Sequence, residues 1–248
     1  MRAILTYHSI DPSGSVISLA PSVFERHVAW LAAGRVAVVS LTELLALRDE
    51  RDAVAITFDD GFTNFRTEAW PRLRAHGLPV TLFAPTGHVG KTNDWAETPG
   101  GRMPSLPILG WPALSRLQEE GVTLGAHSRT HADLRSIDRA ALEDEVAGSI
   151  EDLLRETGRR PEAFAYPYGY WNASAASVVR TACRCACTTA LRLLRSRDDA
   201  HLLPRLDVFY LQGPGRLENF GSAGFREYIR VRSRVRTVGQ WVRTKWHA

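Results

Sequence analysis

Ala53-Val54-Ala55-Ile56-Thr57-Phe58-Asp59-Asp60-Gly61 is the stretch on which the prediction of the fold rests. The apolar run predicts a buried strand, and two adjacent carboxylates followed by a glycine end it. Neighbouring side chains on a strand point to opposite faces, but a turn at Gly61 would let Asp59 and Asp60 reach one site from two directions. One carboxylate could then bind a metal while the other moves a proton. The alternative is that Asp60 caps the helix that follows.

Strands and helices alternate on both sides of this stretch. Apolar runs predict further strands at about residues 3–9, 36–40, 79–84, 122–126, 163–169 and 183–190, with helical spacing of apolar residues between them. This alternation predicts an α/β fold with a mostly parallel, barrel-like sheet. The carboxyl ends of the strands in a parallel barrel share one face, and we expect the chemistry there.

Charge is unevenly distributed along the 248 residues. Residues 226–248 contain seven basic residues and one acidic residue, a net charge of +6, whereas the whole chain carries +4. The rest is therefore about −2, which does not favour a nucleic-acid partner. No apolar run is long enough for a membrane span, and the apolar run near the N-terminus is too short for a signal peptide, so we expect a cytoplasmic location.

A second polar cluster, His127-Ser128-Arg129-Thr130-His131, follows the predicted strand at 122–126. Two histidines four residues apart lie on one face if the chain turns helically, and neutral imidazoles are good Zn²⁺ ligands. Two histidines and one carboxylate leave an open coordination position, which is typical of a catalytic site. The alternative is an incidental pair, but the position at a strand end favours a metal site.

The third cluster is Tyr166-Pro167-Tyr168-Gly169, again near a predicted strand end. Pro167 fixes its own φ and has no N–H. The next N–H, from Tyr168, could then point into the site and donate a hydrogen bond to an oxyanion. The alternative is a plain turn with aromatic packing.

In order and spacing, the three clusters resemble the first three motifs of the polysaccharide deacetylases, the family-4 carbohydrate esterases with the NodB homology domain. The similarity spans about residues 3 to 212. The resemblance implies a distorted (β/α) barrel, a divalent metal, commonly Zn²⁺, and hydrolysis of an N-acetyl or O-acetyl group on a sugar. We therefore divide the chain into a catalytic domain at residues 1–215 and a basic helical tail at residues 216–248.

The resemblance also implies roles for single residues. Asp60, His127 and His131 would bind the metal, and Asp59 would be the general base. The Tyr168 N–H and the metal would together hold the oxyanion.

Two departures from the family pattern matter. The family usually has an arginine that orients the base where this chain has Ala165, and Arg205 is the candidate substitute. The family's late Leu-x-His motif, which supplies the general acid, has no clear match after residue 190. His8, at the end of the first predicted strand, is the candidate acid, and we expect it opposite Asp59 across the metal; a buried structural histidine is the alternative for this position. His201 fits the acid role less well.

The predicted function is a metal-dependent hydrolase that removes an acetyl group from an amino sugar, with removal of a formyl group as an alternative. An O-acetyl esterase and an inactive glycan-binding module are the alternatives, although a binding module needs no open metal site. We expect the loop at residues 87–110 to cover the site, with Trp95 stacked on a sugar ring. Pro167 and Tyr166 are the other expected substrate contacts.

The basic tail has apolar residues close to helical spacing, with arginines between them. These residues are Phe225, Tyr228, Ile229, Val235, Val238, Val242 and Trp246. Such a helix either packs its apolar side on the barrel or lies on an anionic membrane surface.

Overall fold

The computed structural model describes residues 1–47, 51–96 and 103–246, with side chains described up to residue 236. The strands are β1 (Arg2–Tyr7), β2 (Ser9–Ile10), β3 (Ser18–Leu19), β4 (Ala37–Val38), β5 (Ala53–Phe58), β6 (Val80–Ala84), β7 (Thr123–Ala126), β8 (Ala163–Ala165), β9 (Cys185–Cys187) and β10 (Leu206–Asp207). The α-helices are α1 (Pro21–Ala32), α2 (Leu41–Ala46), α3 (Trp70–Ala75), α4 (Trp111–Glu119), α5 (Arg139–Glu143), α6 (Ser149–Thr157), α7 (Ala173–Ala182) and α8 (Ala223–Trp246). A π-helical turn, Asp144–Gly148, joins α5 to α6.

The main sheet is parallel and has the strand order β10-β1-β5-β6-β7-β8-β9, with β4 paired to the start of β5. Helices between successive strands cover its outer face, so the predicted barrel-like α/β architecture is confirmed. Several predicted strands are shorter than expected. The strand predicted to begin at Ala163 ends at Ala165 and runs into the expected tight turn, where Tyr168 has a φ of 59°.

Two apolar layers stabilise the sheet. The inner layer consists mostly of small side chains, and Phe83 lies across it against Gly125, where an added Cβ would come within 2.4 Å of the phenyl ring. The outer layer packs larger side chains such as Ile56 and Phe164 against the helices. Burying one such side chain contributes about 2 kcal/mol. Alternation along each strand therefore decides which side chains enter the barrel.

Local signals in the sequence set several helix ends. The Ser40 hydroxyl accepts a hydrogen bond from the Glu43 N–H, and the Glu43 carboxylate accepts one from the Ser40 N–H, which begins α2 with a reciprocal cap. Gly158, with a φ of 73°, ends α6.

Residues 203–207, which we call the closing segment, bridge the two ends of the sheet. Leu203 pairs with Cys187 at the end of β9, and Leu206 pairs with Leu5 of β1. This short piece of chain therefore joins the last strand to the first. Arg205 lies between the two pairings and is 1% exposed, which places it inside the mouth of the barrel.

The first turns of α8 pack against the catalytic domain. Phe225 and Ile229 are buried, and the Tyr228 hydroxyl donates a hydrogen bond to the Tyr210 carbonyl at 2.6 Å. This confirms the packed interpretation for the start of the tail, whereas Val231 and Val235 are exposed. The side chains of Val238, Val242 and Trp246 lie outside the described set, and the domain boundary at residue 215 stays a prediction. In the described part of the chain, every helix is too short or too polar to cross a lipid bilayer.

Candidate metal and catalytic site

The predicted site residues come together at the carboxyl ends of the strands. In β5, inward-facing positions run through Ala53, Ala55 and Thr57, so Asp59 continues this row into the barrel mouth. In β7, Gly125 faces inward and His127 follows it. The alternation of side chains along β5 and β7 therefore places the Asp59 carboxylate and the His127 imidazole in the same barrel mouth.

Residues with a strained, left-handed backbone form other parts of the site. Among the described residues, four that are not glycine have a positive φ: Asp60 (70°), Ser128 (60°), His131 (57°) and Tyr168 (59°). Each costs about 1–3 kcal/mol and persists only where the surroundings enforce it. All four lie in the three motifs predicted to carry the chemistry. At Asp60 and Gly61, two successive left-handed residues swing the Asp60 side chain to the side of Asp59, as the sequence predicts.

Asp60, His127 and His131 form a compact group of potential metal ligands. Asp60 Oδ1 is 3.4 Å from His127 Nε2 and 3.5 Å from His131 Nε2, and all three side chains are buried. One donor atom from each lies within 4.8 Å of the others. His127 Nδ1 lies 2.7 Å from the Ala165 carbonyl and donates a hydrogen bond to it, which leaves Nε2 as the ligand atom.

The charges of this group fit a bound cation. Asp60 Oδ1 is buried and has no hydrogen-bond partner among the described residues, which excludes the helix-cap interpretation of this oxygen and leaves a costly unsatisfied carboxylate oxygen. Burial lowers the pKa of His131 to about 3, so this imidazole is neutral. Burial also opposes protonation of His127, but Asp60 and Asp59 outweigh it and raise its pKa. Two imidazoles and one carboxylate suit Zn²⁺ or another divalent transition metal.

Asp59 forms a bidentate ion pair with Arg205. The Arg205 Nη1 and Nη2 groups donate hydrogen bonds of 2.7 and 2.6 Å to the two carboxylate oxygens, and both side chains are buried. Burial alone would raise the pKa of Asp59, but the Arg205 guanidinium holds it well below its usual range. Arg205, the candidate substitute for the arginine that Ala165 replaces, therefore does contact Asp59, and it reaches Asp59 from the closing segment.

His8 lies at the site, but on the wrong side for our prediction. Its Nε2 is 3.8 Å from Asp59 Oδ2, so it lies beside Asp59 and not opposite it. The reason is strand pairing, because Thr6 of β1 is in register with Thr57 of β5, and the next inward-facing residues are His8 and Asp59. His8 is 21% exposed, which does not fit a buried structural histidine. His201 instead donates a hydrogen bond to the carbonyl of Cys183, which precedes β9. It therefore lies away from the carboxyl ends of the strands, where the other site residues meet.

Two aromatic residues form walls of the site. The Trp95 ring stacks on His131 at 4.5 Å, and the Tyr168 ring meets His131 edge-on at the same distance. Trp95 therefore lies at the site, over the His131 ring. Its stacking on a sugar stays a prediction, and residues 97–102 of the loop expected to cover the site lie outside the described residues.

The prediction that Tyr166 contacts substrate is wrong. Its side chain is fully buried and packs edge-on against Phe164, because Ala165 faces the barrel interior and the next residue must face the helices. Pro167 is buried too and shapes the turn that brings Tyr168 to a positive φ.

The sequence analysis did not predict a hydrogen-bond network that holds the loop between His127 and His131. The Glu145 carboxylate accepts hydrogen bonds from the N–H groups of Arg129 and Thr130, both at 2.9 Å, and from the Thr130 hydroxyl at 2.6 Å. The Arg129 guanidinium donates to Asp152 at 2.9 and 3.1 Å. Glu145 and Asp152 are two helical turns apart, which the sequence could have indicated. The intervening π-helical turn has no such signal.

Comparison with known proteins agrees with this arrangement. Residues 47–183 match the family model described as polysaccharide deacetylase. The chain is 25% identical over 174 residues to the Bacillus subtilis protein YxkH, covering 68% of this chain and 57% of that protein. It is 24% identical over 178 residues to a poly-beta-1,6-N-acetyl-D-glucosamine N-deacetylase of Staphylococcus aureus, covering 66% and 58%. The chain thus spans less than two thirds of the length of these curated relatives.

Solved structures share the fold. The deacetylase PplD of Streptococcus pyogenes, solved in complex with acetate, superposes with a TM-score of 0.70 at 19% identity, over 83% of this chain and 91% of that one. IcaB from Ammonifex degensii gives a TM-score of 0.71 at 22% identity, over 91% and 96%. The distorted (β/α) barrel predicted from the sequence is therefore confirmed.

Replacing Glu145 tests the network that supports the metal ligands. Glu145→Gln leaves only one carboxamide oxygen to accept hydrogen bonds from the loop that carries His127 and His131. We therefore expect the affinity for Zn²⁺ to fall on the order of tenfold. Competition with a chromophoric chelator measures this affinity. Glu143→Gln, an exposed position on the adjoining α5, is the matched control and should leave it unchanged. Equal affinities in both variants would show that the network does not position the ligands.

Proposed function

This chain belongs to the polysaccharide deacetylase family, and on that premise we propose that it is a metal-dependent hydrolase that removes an N-acetyl group from an amino sugar. One observation carries the proposal. The buried, unpaired Asp60 Oδ1 lies between two imidazoles, directly beside Asp59, whose charge is balanced by Arg205. Among the described residues, Asp60 thus has no lysine or arginine partner, whereas the adjacent Asp59 has Arg205.

The two carboxylates have separate roles. A divalent metal held by Asp60, His127 and His131 would supply an electrophile for the acetyl carbonyl and acidify a water molecule. Asp59 takes the proton that this water loses, and it can do so because Arg205 keeps it ionised and fixed in orientation. The same ion pair keeps Asp59 from turning toward the metal ligands.

The remaining groups act on the substrate. His8, beside Asp59, donates a proton to the departing amine nitrogen, which is a poor leaving group without it. The Tyr168 N–H donates a hydrogen bond to the developing oxyanion. The Trp95 ring over His131 offers an apolar face to a sugar ring.

An amide substrate is favoured over the alternatives by one relative. The Staphylococcus aureus protein named above is an N-deacetylase by name, and an acetamide requires the strong activation that a metal and a fixed base provide. An O-acetyl esterase or a deformylase would use the same groups. An inactive glycan-binding module would have no use for the unpaired Asp60 oxygen or for four strained residues.

Replacing the base tests the mechanism. Asp59→Asn should reduce acetate release from N-acetylated amino sugars by about 10²–10⁴-fold while metal content is unchanged. Removing the metal with a chelator should abolish activity, and added Zn²⁺ should restore it. A panel of N-acetylated, N-formylated and O-acetylated sugars identifies the bond that is cleaved. Full activity in metal-free protein, or near-normal turnover in the variant, would contradict the mechanism.

The acid role of His8 has its own signature. His8→Ala should impair hydrolysis of an amide more than hydrolysis of an activated acetate ester, because an alkoxide or phenoxide leaves without prior protonation. The ratio of the two losses in kcat/KM is the measurement. If kcat/KM falls by the same factor for the amide and for the ester, His8 is not the proton donor.

We further propose that the exposed part of α8 contacts anionic membranes. Val231 and Val235 are exposed among arginines on this helix, and such helices bind anionic lipid surfaces. Sedimentation with anionic and neutral vesicles, for the full chain and for a chain ending at Gly224, tests this. Salt-sensitive binding that needs the helix supports the proposal, and no binding at low salt refutes it. The cytoplasmic location stays a prediction.

A further inference from the structure

A row of aromatic rings leads away from the metal ligands. The Tyr168 ring lies 4.5 Å from His131, and the Tyr170 ring lies 5.7 Å from that of Tyr168. The Arg135 guanidinium covers one face of Tyr170 at 3.9 Å. Tyr168, Tyr170 and the next residue, Trp171, are each about two fifths exposed. Exposed rings of this kind give flat apolar faces on which sugars can stack, so the row marks a path for the substrate beyond the reacting unit.

This path opens into a groove that the proposed mechanism does not use. The groove has a volume of about 240 Å³ and lies between Trp171, Thr189 and Arg192 on the barrel side and Arg236 on α8. The described residues that line it include two arginines and no acidic side chain. Gly221, just before α8, lies against Asp52 at the start of β5, so α8 runs from the opposite end of the barrel toward the catalytic end. The groove thus has basic side chains in its lining and adjoins the site.

The two arginines differ in their partners. Arg192 Nη1 already donates to Asp198 at 2.7 Å. Arg236 Nη1 is buried and has no hydrogen-bond partner among the residues the structure describes. A buried guanidinium nitrogen without an acceptor is costly, and an anion in the groove would remove that cost. Guanidinium groups bind phosphate and carboxylate oxygens in a well-matched geometry.

We infer that this groove binds an anionic group, a phosphate or a carboxylate, that the substrate carries next to the sugar being deacetylated. The inference rests on the proposed function, because it assigns the groove to the substrate of the same site. It narrows the substrate class to acidic amino-sugar glycans or phosphorylated amino sugars. Arg236 binds the anionic group, while the rings of Tyr170 and Trp171 hold the neighbouring sugar that carries it.

The test compares a neutral N-acetylglucosamine disaccharide with the same disaccharide carrying a phosphate. At low salt the phosphorylated form should have a KM on the order of tenfold lower, with kcat unchanged, which is the worth of one charge-assisted hydrogen bond. Arg236→Gln should erase this preference without changing turnover of the neutral form. Arg234→Gln is the matched control, because Arg234 is exposed on the same helix and does not line the groove. Both substrates are soluble, so membrane binding by α8 cannot produce the preference.

Equilibrium binding separates this inference from the proposed function. Calorimetry with both disaccharides needs no hydrolysis, so it tests the groove even if neither compound is deacetylated. Tighter binding of the phosphorylated form that Arg236→Gln removes and Arg234→Gln leaves intact supports the groove. Equal binding of the two disaccharides, or equal effects of the two variants, overturns it. Hydrolysis of both disaccharides at equal KM would uphold the proposed function and reject the groove.

Discussion

The buried ion pair between Asp59 and Arg205 is the interaction on which the site depends. It joins the end of β5 to the closing segment, and the Arg205 Nε group also donates a hydrogen bond to the Thr188 carbonyl at 3.0 Å, after β9. One side chain therefore connects both ends of the sheet to the base. Removing either partner would leave a buried charge alone, which typically costs about 3–5 kcal/mol. The same side chain, Arg205, thus helps to close the barrel and holds the Asp59 carboxylate in place.

Charge balance explains how two adjacent carboxylates can differ. Arg205 neutralises Asp59, whereas Asp60 faces two imidazoles and has no fixed cation. The departure from the family pattern at Ala165 fits this division. The small Ala165 side chain lies inside the barrel, and its carbonyl accepts the hydrogen bond that orients His127. The arginine that pairs with Asp59 therefore comes from the closing segment and not from the end of β8.

Much of the fold and site could be predicted because strand ends and alternation are encoded locally. The apolar run before Asp59 and the motif at His127 are enough to predict that Asp59, Asp60, His127 and His131 meet at the carboxyl ends of the strands. The position of His8 depends on the pairing of β1 with β5, and the burial of Tyr166 depends on where β8 ends, so neither follows from a motif alone. The Glu145 contacts depend on the π-helical turn between α5 and α6, and the groove at Arg236 depends on the direction of α8. No local pattern in the sequence indicates either feature.

Anomalous diffraction at the zinc edge, from crystals of the full chain grown with Zn²⁺, tests the central claim most directly. That claim is that Asp60 binds the metal with the two histidines while Asp59 stays with Arg205. It predicts one peak about 2.0–2.2 Å from Asp60, His127 Nε2 and His131 Nε2, with both hydrogen bonds of the ion pair intact. A metal bound through Asp59 with Arg205 displaced, or no peak among these three ligands, would contradict the account.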